Sequence, residues 1–374
     1  MAKLSLEELK GAVASYVVSN KIGVSSFSET RNNVVGLLDK VGKIATLDTT
    51  FFDKLPELDG EELSFGKTVE EYYQDLIETI DYNQDLDGSR ALKFYSPTYR
   101  PVAYSYSLGK KVIPSSIPNN NIERAVHLEA QLVDIVSLMY KRMSDSAAVW
   151  KYQVKREMLG QICDRIVGAY DTDATAYVNA TTDITEGTFY KQSTDKHGVC
   201  VKAKTHAVGD TWATLVASGY IIELKMLEEI AIPTDDTTGE AFIQSVKEAV
   251  EKAQDVSEGY SFNGNTIGAE VGLSLYVKQG VMPSLEVKTM AGAFNLEKLS
   301  MNVEAKVIRD FGATSSKIFA ILMDRRAARL HIDYEAVREN FNGFGDFLNL
   351  FHHLECTCFI SRNAFIKVFV EPAS

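Results

Sequence analysis

Val102-Ala-Tyr-Ser-Tyr-Ser-Leu108 alternates large apolar with small side chains, and the reading of the whole chain turns on it. A period of two residues is the mark of a β-strand, with Val102, Tyr104, Tyr106 and Leu108 on one face. The segment belongs to a β-rich stretch, residues 91–113. Its partner is the region of residues 68–80, rich in Val, Tyr, Ile and Thr, although that pattern also tolerates helix. The approach and return of this pair are strongly acidic. Residues 51–90 hold twelve acidic and three basic side chains, a local charge of −9. A two-stranded ribbon is marginal by itself in water. It therefore needs a surface to lie on, in its own domain or in a neighbouring subunit.

Outward from the ribbon, the chain has 374 residues, with 39 Lys and Arg against 51 Asp and Glu, for a net charge of −12. That length suggests two or three domains. With 45% hydrophobic and 24% charged residues the composition is that of a globular protein. It excludes global disorder, collagen, a small disulfide scaffold and a coiled-coil rod. An acidic chain is a poor non-specific ligand for DNA, because Lys and Arg supply the affinity for phosphate. No apolar run reaches the roughly 18 residues a membrane helix needs. The start, Met1-Ala-Lys-Leu-Ser-Leu-Glu-Glu8, lacks a signal-peptide core, so the expectation is a protein made and kept in the cytosol.

Ser5-Leu-Glu-Glu8 is a capping box for a first helix. A second short helix is expected over residues 29–41. Both read as an arm that packs on something else. Pro114 and Pro118 end the β-rich stretch, and Asn119-Asn-Asn121 caps a long helix carrying Ile122, Val126, Val133, Val136, Tyr140 and Met143 on one face. Glu129 interrupts that stripe as an edge position or a paired carboxylate. Ser144-Asp-Ser146 is read as a break before another helix with Val149, Trp150, Val154, Met158, Ile162, Ile166 and Val167. Residues 171–240 are turn-rich. A helix over residues 239–254 carries Phe242, Ile243, Val246 and Val250. Strands are then expected at 271–277, 303–308 and 317–323, with helix at 282–294 and an edge strand at 329–334. The chain closes with strands at 354–360 and 364–370.

The tempting catalytic motifs fail on spacing or context. Gly60-Glu-Glu-Leu-Ser-Phe-Gly66-Lys67-Thr68 imitates a P-loop, but five residues separate its glycines and Glu61 and Glu62 would repel a triphosphate. Asn342-Gly-Phe-Gly-Asp-Phe347 imitates a kinase loop with nothing else of a kinase present. The four cysteines, Cys163, Cys200, Cys356 and Cys358, are expected as thiols. His352-His353-Leu354-Glu355-Cys356-Thr357-Cys358 contains zinc-ligand types, with Cys200, His197 and His206 as possible completions. C-x-C is the wrong spacing and no second pair lies nearby, so two small residues in a buried strand is the preferred reading. The acidic stretch could hold a general acid/base pair, yet a solvated or cross-subunit face suits it better. The sequence thus offers no catalytic, cofactor-binding or metal site. An arm and a ribbon that both need a partner surface point to assembly.

The order of elements resembles the tailed-phage major capsid proteins of the Hong Kong 97 fold, nearest to small podophages of the Bacillus-phage (salasmavirus) kind. Gly66-Lys-Thr-Val-Glu-Glu-Tyr-Tyr-Gln-Asp75 looks like the start of that family's extended loop. Leu273-Ser-Leu-Tyr-Val277 through Ala291-Gly-Ala-Phe-Asn295 looks like an apical strand and helix. Ile321-Leu-Met-Asp-Arg325 to Tyr334, then Glu339-Asn-Phe-Asn-Gly343 and Phe359-Ile-Ser-Arg-Asn-Ala-Phe365, resembles its C-terminal run, with Arg362-Asn-Ala-Phe365 the most telling fragment.

This resemblance implies an α+β chain. Its parts would be an N-terminal arm at 1–50, an extended β-hairpin loop at 51–118 and a peripheral domain with spine helix at 119–235. An α/β apical domain at 236–340 and C-terminal strands at 341–374, returning to the peripheral domain, would complete it. It implies a structural protein and no enzyme, assembling with itself as hexamers and pentamers into an icosahedral or prolate shell. Scaffolding protein and portal would be partners, and packaged dsDNA would be touched weakly and non-specifically. The chain would assemble in the host cytoplasm and reside in the virion, with no membrane contact. The acidic ribbon would face a neighbour's basic residues, with Lys110, Lys111, Lys141, Arg142, Lys151, Lys155, Arg156, Arg325 and Arg326 as candidates. An encapsulin-type compartment shares the fold and is the nearest alternative. A cytosolic hydrolase using carboxylates or the His352/Cys356/Cys358 cluster is the alternative of another class.

Overall fold

The computed structural model describes residues 52–63, 68–74, 99–103, 105–118, 129–179, 181–193, 196–268, 272–281, 303–315 and 317–372. The expected N-terminal helices, residues 75–98 of the ribbon, the Asn119–Asn121 cap and the 282–294 helix lie outside these residues. The strands are β1 (Glu70–Gln74), β2 (Tyr99–Ala103), β3 (Ser105–Pro118), β4 (Thr175–Ala176), β5 (Phe189–Ser193), β6 (Lys196–Cys200), β7 (Ile221–Glu223) and β8 (Leu227–Glu229). They continue with β9 (Val256–Glu258), β10 (Asn265–Ile267), β11 (Leu273–Lys278), β12 (Glu304–Ile308), β13 (Ile318–Asp324), β14 (Ala328–Asn342), β15 (Phe347–Ile360) and β16 (Ile366–Val370). The helices are α1 (Glu129–Tyr170), α2 (Trp212–Ala217) and α3 (Asp236–Gln254). Two compact units divide the chain. One comprises Met1–Lys67, Ser107–Lys155 and Leu330–Thr357, the other Thr68–Tyr106, Arg156–Arg329 and Cys358–Ser374.

The first unit is built on a three-stranded sheet in the order β14-β15-β3. Only four residues join β14 to β15, too few for a crossover, so the two form an antiparallel hairpin. In β15 the buried positions alternate at first, through Leu348, Leu350, His352 and Leu354, and then become continuous to Ile360. That shift from period two to an unbroken buried run, Glu355 and Thr357 included, marks a strand covered on one face and then on both. β3 runs through Pro114 and ends at Pro118, so the first proline does not stop it. The reason is position: β3 sits at the side of the sheet, where a missing N–H costs no ladder bond. On the other side, residues 59–63 lie along β14. Gly60 N donates to Leu330 O (2.8 Å) and Leu63 N to Ile332 O (3.1 Å). A Cβ on Gly60 would fall 2.5 Å from His331 Nδ1, so this approach requires glycine. The stretch that imitates a P-loop therefore begins as extended chain against a strand.

The expected break at Ser144-Asp-Ser146 is not there. α1 is continuous over 42 residues, about 63 Å at the standard rise. Ser146 Oγ donates to Arg142 O (2.8 Å), one turn back, so its hydroxyl is satisfied inside the helix instead of ending it. Ser144 is buried. The apolar stripe continues across the serines as Tyr140, Met143, Ala147 and Val154, then Met158, Ile162, Cys163 and Ile166. Burial pushes the Cys163 thiol well above its ordinary range, as its reading as a small hydrophobe requires.

The second unit centres on a five-stranded sheet in the order β12-β11-β13-β16-β8, parallel at its two outer pairs and antiparallel within. Every residue of β13 is buried. α3 covers the sheet through Phe242, Val246, Ala249, Val250 and Ala253, which meet Leu275, Val277, Phe319, Leu322 and Phe369. α3 begins three residues before the expected start, because Asp235 and Thr238 cap each other's backbone N–H. A smaller four-stranded sheet, β4-β5-β6-β7, packs with α2 around Trp212, Tyr177 and Tyr190.

Candidate assembly surface

Of the ribbon read from residues 68–80 and 91–113, the described part is the pair β1–β2, whereas residues 105–113 belong to β3 in the three-stranded sheet, which corrects their assignment to the ribbon. β1 pairs antiparallel with β2, from Glu70 opposite Ala103 to Gln74 opposite Tyr99. Val69 N donates to Ser105 Oγ (3.0 Å) below the first pair. One carboxylate roots this ribbon. Glu71 Oε1 accepts from Ser361 Oγ (2.6 Å), and Oε2 accepts from Arg362 N (3.1 Å). Ser361 Oγ in turn accepts from Asn363 N (3.1 Å) and Ala364 N (3.0 Å), folding the turn between β15 and β16 around the glutamate. Ser361 N donates to Ala327 O (2.8 Å) and Asp324 N to Phe365 O (2.9 Å), tying the turn to the next strand connection. There Arg326 forks onto the buried Asp324, Nη2 to Oδ2 at 2.7 Å. The hydrogen bond to Asp324, with the Asp324 and Glu71 charges, raises the Arg326 pKa. Burial lowers that of Arg362 to about 10. Ser361 and the Arg362 N–H are thus the socket that grips the ribbon, at the head of the fragment Arg362-Asn-Ala-Phe365, whose Asn363 and Ala364 N–H groups fix Ser361.

The expected basic partners of a neighbour's ribbon are largely engaged within their own chain. Lys155 is 1% exposed and donates to Asp53 Oδ2 (2.5 Å) and Leu55 O (3.1 Å), with Asp59 Oδ1 also at 2.5 Å. Its three N–H groups meet three acceptors, which corrects the expectation of a surface role for it. Lys151 pairs with Glu335 (2.8 Å), Arg156 with Asp310 (3.6 Å) and Lys110 with Glu355 (3.9 Å). Arg325 Nε donates to Ser274 Oγ (3.2 Å). Lys111 and Arg142 are exposed. Sequence reading missed the ligands of Lys155. The signal was a lysine next to Val154 on a buried helical face, with a cluster of aspartates upstream.

His352 Nε2 lies 3.0 Å from Glu335 Oε1, whose other oxygen takes Lys151. Burial pushes the Glu335 pKa up, but the His352 hydrogen bond and the Lys151 charge outweigh it and hold the carboxyl at about 2. Cys356 and Cys358 are fully buried in β15. The Tyr106 hydroxyl hydrogen-bonds the Cys358 thiol, and burial drives that phenol above its ordinary range. His197 lies in β6, its ring 4.8 Å from that of Tyr170. Among the described residues no three His, Cys, Asp or Glu side chains are grouped to hold a metal ion. Nor is any helix among them long and apolar enough to cross a membrane.

A continuous long helix, a hairpin sheet, a rooted ribbon and a helix-covered five-stranded sheet define a shell-building subunit of the Hong Kong 97 capsid type. Solved structures share this fold. The capsid of Staphylococcus phage Andhra matches with a TM-score of 0.55 at 12% identity, over 88% of this chain and 86% of that one. A chain in the structure of the head fibre and inner core protein gp22 of native bacteriophage P68 matches with a TM-score of 0.53 at 11% identity, over 87% of this chain and 86% of that one. The chain belongs to the Phi29-like phage major capsid protein family, whose model matches residues 6–370. No protein with a curated description matches this sequence. The chain is a structural capsid protein that assembles with other subunits into a phage shell and so is part of the virion. Neither the compartment-shell reading nor the hydrolase reading is favoured by these matches.

Proposed function

We propose that copies of this chain close, as hexamers and pentamers, into an icosahedral or prolate head that encloses phage dsDNA, nearest in kind to the small podophages. Family membership across residues 6–370 is the observation that carries this reading. In it, residues 1–50 are an arm and 51–118 carry the extended loop, whose portion beyond the β1–β2 pair lies across the adjacent subunit, while residues 52–63 and β3 stay in their own unit. Residues 119–235 are the peripheral domain, 236–340 the apical domain, and 341–374 strands that return to the peripheral domain. The role is mechanical and not enzymatic. Scaffolding protein and portal are partners during assembly in the host cytoplasm. The net charge of −12 keeps contact with the packaged DNA weak.

The test is size-exclusion chromatography and electron microscopy of the expressed protein, alone and with a scaffolding protein. Isometric or prolate particles of megadalton mass are expected. A second variant replaces residues 75–98 by a short glycine linker, leaving β1, β2 and Glu71 in place. It should fold as a subunit and fail to close shells. Normal particles from that variant would remove the cross-subunit role of the loop.

A further inference from the structure

The loop that imitates a kinase motif has a different use. Phe344 stands at the tip of the β14–β15 hairpin with its side chain 105% exposed. The tip holding it is built. Asn342 Oδ1 accepts from both Phe344 N and Gly345 N, each at 3.0 Å, an Asx turn that fixes the loop. A Cβ on Gly345 would fall 2.2 Å from the Phe347 ring, so the ring packs close against the glycine and a larger residue there would have to displace it. Asp346 completes the reversal at φ +51°, a left-handed conformation that aspartate tolerates. Phe344 is therefore displayed outward by an ordered turn. The composition around it is that of an interface core. Residues 340–350 contain three phenylalanines and a single charged side chain, Asp346, in a chain that is 24% charged. Aromatic enrichment with charge depletion distinguishes the centre of a protein–protein contact from other surface.

We propose that Phe344 is an inter-subunit knob, seated in the assembled shell against an apolar patch of a second copy of this chain. The inference rests on the shell-subunit reading, which places identical copies edge to edge. A phenylalanine buries on the order of 150–250 Å². That is a large share of the roughly 800 Å² each partner contributes to a standard interface, and central aromatic anchors of this kind dominate affinity.

The experiment has two arms, with the wild-type chain assembled in parallel. Phe344→Ser should keep the wild-type urea midpoint as a subunit. It should form particles only at about tenfold higher concentration or not at all, while Phe344→Leu assembles near the wild-type threshold. In the second arm, Phe344 is replaced by the photo-crosslinker p-benzoylphenylalanine, and irradiated particles should give a product of twice the chain mass. Assembly of Phe344→Ser at the wild-type threshold overturns the inference. So does crosslinking that yields no product or only products with a different protein. A wild-type chain that forms no particle under any condition overturns the shell reading itself, and the inference with it.

Discussion

Lys155 is the sharpest place to perturb the subunit. Its side chain is 1% exposed, whereas those of its carboxylate partners Asp53 and Asp59 are 25% and 54% exposed. The asymmetry sets the energetics. Removing both carboxylates by Asp53→Ala and Asp59→Ala leaves a buried cation with only the Leu55 carbonyl. An uncompensated buried charge costs about 3–5 kcal/mol. Removing the cation by Lys155→Met keeps the packed stem and leaves two carboxylates already partly open to water. The expected loss is about 1–2 kcal/mol, mostly the hydrogen bonds to Asp53 and Leu55. Asp59→Ala alone should cost under about 1 kcal/mol, as exposed pairs do. The triple variant should then recover about 1–3 kcal/mol relative to the double, because the stranded charge is gone. Urea unfolding of unassembled subunits at pH 7, followed by fluorescence of the two tryptophans, measures all four. A double-aspartate variant as stable as Lys155→Met, or a triple no better than the double, would refute the claim that desolvation of Lys155 controls this site.

Two further outcomes follow from the carboxylates. Glu71→Ala should release the turn that grips the ribbon, at a local cost of about 1.5–3 kcal/mol for two hydrogen bonds to a charged acceptor. Hydrogen exchange should accelerate at Arg362 and leave the buried strand β13 protected; unchanged exchange at Arg362 would discard the socket. Glu335, at about 2 against an ordinary 4.5, has a depressed folded-state pKa. Its contribution is therefore complete above about pH 4.5 and fades as pH falls towards 2. The gap corresponds to at most about 3 kcal/mol, and screening of a side chain 29% exposed reduces this to about 1–2 kcal/mol. The difference in urea midpoint between wild type and Glu335→Gln should close between pH 5 and pH 2.5, on the order of the window just derived. A difference independent of pH would exclude the depressed carboxyl.

What the sequence disclosed and what it withheld separate along physical lines. β11, β13 and β16 were visible as short apolar runs, because a strand covered on both faces has little else to be. Alternation at Val102–Leu108 disclosed extended chain, a local signal, but not that Val102 and Ala103 end β2 while Ser105 to Leu108 open β3 in another sheet. The continuity of α1 was not: serine and aspartate favour caps when neighbours are ignored, and here Ser146 satisfies itself on Arg142 O. The length of β14 was hidden for the opposite reason. Beyond Tyr334 its residues are exposed or half-exposed, so no apolar pattern marks it, and its extended course is seen only in its pairing with the distant β15. The links of Lys155 to Asp53 and of Glu71 to Ser361 join positions 102 and 290 residues apart, beyond any local pattern.

Those long-range contacts change the meaning of the acidic stretch. Its charge had suggested one use, pairing with the basic residues of a neighbour. Asp53, Asp59 and Glu71 are instead bound inside their own units, where each holds the chain that leads into the ribbon. A loop offered to another subunit needs a fixed base, since a freely pivoting base would carry a larger ordering cost at every contact made. Charge-assisted hydrogen bonds suit that task better than apolar packing in one respect. Each requires partners of the right kind and geometry, so the exit direction is specified along with the stability. In the proposed shell, the remaining acidic residues of the stretch would act on a neighbour through steering and register, the effects for which charge is well suited, while aromatic contacts such as the one proposed for Phe344 would supply the affinity.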